Sequence, residues 1–357
     1  MQTTDVGLPR LAAIAGFLGV VALLVVVAVR NDPPPRPAPA TTPPPDYDVM
    51  EAPADAELFG QVLSVVDAAM HDGIWYLVDP AGNQVHRVDP AAPHALHTFG
   101  GRGQGPGEFP RPPNGIVVHG DSIVILDYQV VHVFGPGGQH YSDRPVRMSV
   151  GCSIWDALSL SGTLSFLIRC FNPAGITFHV LREEHDGSLT ELASRPRAAL
   201  GNATEGTVVM GRHPNGLLFG LPYDDCLELF GYDGASVGEE CHGWIERLPW
   251  PEMTAEMKAE FEALEEAGRS YGIEMQLPDG LPPFLGVSVT SAGKLVYTAP
   301  SPHDDRASRL LTRSATGRQT VVPVRSAPIM IVDGDHVLLG WEELEGTRLL
   351  FMEIPEA

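Results

Sequence analysis

Phe99-Gly100-Gly101-Arg102-Gly103-Gln104-Gly105-Pro106-Gly107-Glu108-Phe109 leads through prolines into Pro113-Asn114-Gly115-Ile116-Val117-Val118. This stretch decides the fold. Glycine permits positive φ and proline fixes φ, so the segment reads as a tight looped connection between two strands. The strand reading then continues as Asp121-Ser122-Ile123-Val124-Ile125-Leu126-Asp127 and Val131-His132-Val133-Phe134, closing at Gly135-Pro136-Gly137-Gly138. Outward from there, nearly the whole chain after Ala54 consists of short β-branched or aromatic runs separated by Gly, Asp and Asn turns.

The loop and its two flanking strands resemble the NHL-type repeat of six-bladed β-propellers, in which such a loop joins the outer strand of one blade to the inner strand of the next. The second strands of six units align as Ile74–Val78, Ile123–Leu126, Leu164–Ile168, Leu217–Leu221, Leu295–Tyr297 and Val337–Leu339. Each follows a turn containing glycine. Their spacing is about 41–53 residues, with one interval near 78. A period of this size signals radially repeated four-stranded units. The sequence therefore predicts an all-β fold, a six-bladed β-propeller over residues 54–357. Only Thr347–Ile354 follows the sixth second strand, too little for two strands, so Glu57–Gln61 is expected to supply the missing strand and close the ring.

The long interval falls at residues 244–283. Within it Met253, Met257, Phe261 and Leu264 recur at helical spacing after Pro251 and before Gly268, which predicts an amphipathic helix inserted ahead of blade five.

Ahead of the propeller, residues 1–10 form a short tail. Leu11–Val29 is an unbroken apolar run of nineteen residues, about 28 Å as a helix and long enough for the hydrocarbon core of a bilayer. A cleaved signal peptide is the rival reading. Its apolar region is shorter and ends at small residues, whereas this run ends Val27-Ala28-Val29-Arg30, which favours a transmembrane anchor. Residues 30–53 contain a proline run, a semi-rigid stalk. The expected arrangement is a single-pass membrane protein with its propeller on the periplasmic or extracytoplasmic side, in a bacterium whose coding bias favours Ala, Arg, Gly and Pro.

A net charge of −22 excludes nucleic acid as a partner, because phosphate binding needs a basic face. The four cysteines form two symmetric pairs. Cys226 and Cys241 stand seven residues either side of Asp233-Gly234, a dipeptide favoured in two-residue hairpin loops. Cys152 and Cys170 are centred on Ser161, before Gly162. Opposed strand positions lie within disulfide reach, so bridges 152–170 and 226–241 are expected, together with an oxidising compartment.

Candidate site residues are sparse. Arg102 and Glu108 in the Gly-rich loop can pair with each other or touch a ligand at the blade junction. His71, His119 and His213 each end a first strand in a different blade, and three imidazoles converging on the axis would suit zinc. Some six-bladed enzymes, such as the peptidyl amidating lyases, use histidines in this way; lactonase-like relatives hold a central cation with acidic and amide ligands. Asp79 and Asp127 recur at equivalent strand ends, the place for a carboxylate that accepts backbone N–H bonds. A calcium site would need six to eight converging oxygens. No nucleophile elbow or Walker motif is present. The resemblance implies a binding or scaffold module for a protein or small-molecule ligand at the propeller face, with no cofactor. The alternative is a metal-dependent hydrolase or lyase with zinc or calcium on the axis.

Overall fold

The computed structural model describes residues 56–59, 62–93, 95–172, 175–198, 208–245, 262–263, 266, 284–300, 308–313, 319–323, 329–343 and 346–354. Leu11–Val29 and the proline stalk lie outside these residues, as does the helix expected over 251–268 apart from Glu262, Ala263 and Glu266. Among the described residues no helix is long and apolar enough to cross a membrane.

The strands form six antiparallel sheets of four. β1 (Ala56–Phe59) is set apart in sequence from its sheet. Blade one is β2 (Asp67–His71), β3 (Ile74–Asp79), β4 (Gln84–Val88) and β5 (His97–Gly100). Blade two is β6 (Gly115–His119), β7 (Ser122–Asp127), β8 (Val130–Phe134) and β9 (His140–Pro145). Blade three is β10 (Cys152–Leu160), β11 (Thr163–Asn172), β12 (Gly175–Glu183) and β13 (Leu189–Ala198). Blade four is β14 (Val209–His213), β15 (Gly216–Gly220), β16 (Cys226–Gly231) and β17 (Ser236–Cys241). Blade five is β18 (Gly286–Val289), β19 (Leu295–Pro300), β20 (Ser308–Arg313) and β21 (Gln319–Pro323). Blade six is β22 (Ile329–Asp333), β23 (His336–Glu343) and β24 (Gly346–Glu353), and β1 pairs with β24 in the register Ala56↔Leu349 to Phe59↔Gly346. The ring therefore closes as the sequence predicts.

Six buried clusters hold the disc together, one between each pair of neighbouring blades. Second strands are buried on both faces, which is why they read as unbroken apolar runs. On β3, Tyr76 and Val78 pack toward blade two while Trp75 and Leu77 pack toward blade six. The Gly-rich loop serves one of these interfaces. Its Phe109 is fully buried against His132 and Phe134 of blade two, with ring centroids 5.0 and 6.0 Å away. Gly100, at φ 89°, sits under that ring, where a Cβ would come within 2.3 Å of it.

Both disulfides are present, Cys152–Cys170 and Cys226–Cys241. Their turns differ from the simple hairpins expected. Around Asp233-Gly234 the loop has three residues, with Gly231 N donating to Ala235 O and Gly234 at φ 83°. A bulge between Leu229 and Phe230 restores the register Cys226↔Cys241. In blade three the turn does have two residues, Ser161 and Gly162, both at positive φ. That turn alone would set Cys152 opposite Phe171. A bulge at Trp155 shifts the ladder by one and brings Cys152 opposite Cys170.

Candidate functional site

Inner strands all run the same way along the propeller axis. The disc thus has an upper face, where they begin, and a lower face, where they turn into the second strands. Counted up from the lower turns, Asp156 stands at the same height as Asp67, the first residue of β2. Beyond that height β10 has four more residues, one of them taken up by the bulge, so blade three raises a crest of roughly 10 Å above the level of Asp67. The Cys152–Cys170 bridge staples this crest. The Cys226–Cys241 bridge staples the upper ends of β16 and β17.

Apolar side chains gather on this face. Of eight exposed large hydrophobics among the described residues, Leu63, Val66, Val150, Trp155 and Leu285 lie on segments that lead into inner strands or begin them. The other three are on outer strands or a lower turn. Trp155 is turned outward by its bulge, and the Arg169 guanidinium stacks on it 3.8 Å from the ring centroid. Burial brings the Arg169 pKa down to about 10.

Of these residues Leu285 lines an axial cavity of about 340 Å³. All six inner strands contribute to its wall, including Asp67, Asp156, Arg212 and Asp333. Two of these acids tie neighbouring blades together. Asp67 Oδ2 accepts from Ile116 N of blade two at 2.8 Å, and Asp333 Oδ2 accepts from Met70 N of blade one at 2.7 Å. They satisfy inner-edge N–H groups that no further strand can pair. Burial and the neighbouring Asp156 charge push the Asp67 carboxyl well above the usual range. Asp156 spends Oδ1 on Ala157 N at 2.7 Å, and burial raises its pKa to about 6. Sequence reading missed these positions. Asp67 opens a strand whose partners in other blades start with Gly115, Val209 or Gly286, and the Trp155 bulge breaks the alternation that would have aligned Asp156 with it.

The histidines expected on the axis stand at the lower turns, each with a local partner. His71 Nε2 lies 3.6 Å from Asp72, His119 Nδ1 is 3.0 Å from Ser159 Oγ, and His213 Nδ1 accepts from Asn215 N at 3.1 Å. Burial lowers the pKa of His119 and His213. Among the described residues the one triad of metal-ligand atoms within mutual reach is Cys226, Glu239 and Cys241, and its two sulfurs are consumed by the disulfide. Glu108 folds back onto its own loop, accepting from Gly105 N at 2.7 Å, and Arg102 is exposed beside it without an ion pair to it.

A separate set of buried groups recurs in blades one and two. Asp79 accepts from Leu63 N and Gly82 N and meets His86 Nε2 at 3.1 Å. Burial would raise its pKa, but His86 and the two N–H donors hold it below the ordinary value. In blade two Asp127 stands 3.9 Å from His132 Nε2, whose Nδ1 contacts Asp143 at 2.7 Å. His86 and His132 occupy the same register position, opposite Leu77 and Ile125.

No protein-family model matches the chain, and no curated protein matches it in sequence. Among solved structures it is similar to a protein of Bacteroides fragilis inferred to be exported, with 12% identity, a TM-score of 0.54, and 83% of this chain and 92% of that one covered. It is similar also to a gluconolactonase of Xanthomonas campestris, with 15% identity, a TM-score of 0.49, and coverage of 84% and 88%. A chain of a nidogen/laminin complex aligns at 12% identity with a TM-score of 0.44, covering 72% of this chain and 80% of that one. At these identities what is shared is the fold alone.

Proposed function

We propose that this chain is a membrane-tethered, extracytoplasmic binding module whose recognition surface is the upper face of the propeller. One observation carries the reading: among the described residues, five of the eight exposed large hydrophobics lie on segments that lead into or begin the inner strands of blades one, three and five, and Leu285 among them lines the axial cavity. The two disulfides support that compartment, since such bridges persist where thiols are oxidised. The similar Bacteroides protein, inferred to be exported, supports the same side of the membrane. The apolar run Leu11–Val29 supplies the tether.

Photo-crosslinking in cells tests this directly. A benzophenone amino acid at Val150 or Leu285 should give a discrete adduct, while the same group at Tyr141 or Val237 on outer strands should give none. Adducts confined to the outer strands would move the recognition surface to the rim of the disc. The alternative, catalysis at an axial metal, predicts about one zinc or calcium per purified full-length chain by elemental analysis.

A further inference from the structure

We propose that the axial cavity binds a small zwitterion, whose ammonium group meets the Asp156 carboxylate and whose carboxylate meets the Arg212 guanidinium. The inference rests on the upper face being the recognition surface, which the upper part of the cavity wall, at Asp67, Asp156 and Leu285, adjoins. Asp156 and Arg212 line one cavity from the inner strands of adjoining blades. Leu160↔Thr163 and His213↔Gly216 close two-residue turns at the same level, which puts Asp156 four residues up its strand and Arg212 one. The offset of three residues is roughly 10 Å along the axis.

Neither charge is satisfied within the protein. Among the described residues no donor reaches Asp156 Oδ2, and Arg212 takes part in no ion pair or hydrogen bond. Unpaired charges in a partly desolvated wall are costly, and these two are too far apart to neutralise each other. Their neighbours do not do it either. Asp67 accepts from Ala68 N and Ile116 N, and Asp333 is engaged by Met70 N. Arg reaches farther than Asp, so a ligand with its two charges separated by about four to six carbons spans the gap. Ile116, Leu158, Met210 and Val287 supply apolar wall between the charges. A volume near 340 Å³ is at the small end of ligand sites and suits a molecule of this size.

Isothermal titration of the full-length chain in detergent, near neutral pH, tests the proposal with 6-aminohexanoate, hexylamine and hexanoate. The zwitterion should bind roughly tenfold or more tightly than either singly charged probe, a difference of about 1.4 kcal/mol or more. Arg212→Gln should leave 6-aminohexanoate no tighter than hexylamine, and Asp156→Asn should leave it no tighter than hexanoate. A general loss of fold would not produce these two opposite selectivities. Acetyl-glycyl-lysine presents the same charges on a chain end; tighter binding of this probe would mean that the cavity reads a peptide terminus with that chemistry. Equal binding of the three probes, unchanged selectivity in both variants, or no heat with ω-amino acids of four to eight carbons would overturn the proposal. If the titrations are silent while rim adducts still form, the ligand is wrong and the recognition face stands.

Discussion

Phe109 shows how one side chain can justify a whole motif. The glycines around it looked like a generic turn, and the pattern already marked the loop as a junction between blades. What the pattern could not show was that the loop exists to deliver an aromatic ring between them. Replacing Phe109 with alanine should cost about 3–5 kcal/mol in chemical denaturation, as for other large core aromatics. Acid–base behaviour belongs to this scale as well. Asp156, part-buried in the cavity wall, holds its proton to about pH 6 when folded, against 3.8 for the free group, so its contribution to stability falls as pH rises from about 4 to 6. For His132, burial acts to lower the pKa, but Asp127 and Asp143 outweigh it and raise the value above 6.5. The stability it lends is full below that pH and fades as pH climbs through the folded value. Asp79 acts oppositely, since its lowered pKa makes a contribution that is lost only in stronger acid. His119 and His213, whose pKa burial lowers, act oppositely to His132, so the clean test is at Asp156: Asp156→Asn should flatten the fall in stability between pH 4 and 6. An unchanged pH slope in that variant would contradict the environment assigned to Asp156.

Hairpins and bulges are the next scale, and here sequence symmetry succeeded for a reason it did not contain. Cys152 and Cys170 are centred on Ser161, yet the actual turn is centred between Ser161 and Gly162. The Trp155 bulge makes up the difference of one. In blade four the loop is a residue longer than Asp233-Gly234 suggests, and again a bulge restores the pairing. Bulges leave no periodic mark in a sequence, so the bridges were legible while their mechanism was not. Each bridge closes a loop of 15–18 residues, worth about 3 kcal/mol in the chain-entropy picture. Replacing either cysteine pair with serines should lower stability by that order in urea titrations under oxidising conditions. Intact-mass analysis of the untreated protein should show a gain of about four hydrogens on reduction. Four thiols alkylated without reduction would remove the strongest argument for an extracytoplasmic propeller.

At the scale of the molecule, six repeats and their closing strand could be read before any coordinate, because second strands buried on both faces leave unbroken apolar runs and tight turns leave glycines. The cavity could not, since its wall is the sum of six strand edges that sit far apart in sequence. Arg212 and Asp156 carry no motif, and only ring closure brings them to one space. Closure itself can be tested. A chain lacking residues 56–59 leaves the β24 edge unpaired, and it should lose cooperative unfolding and aggregate while the full chain does not.

The central claim is that the upper face is where this propeller meets its partner. Hydrogen exchange compares the full-length chain in its native membranes with the same chain purified in detergent. The account predicts slower exchange in the membranes at 63–66, 149–156 and 284–288, with the lower turns at His71, His119 and His213 unchanged. Slowing confined to those lower turns or to the outer strands, with the upper segments exchanging equally in both preparations, would contradict it.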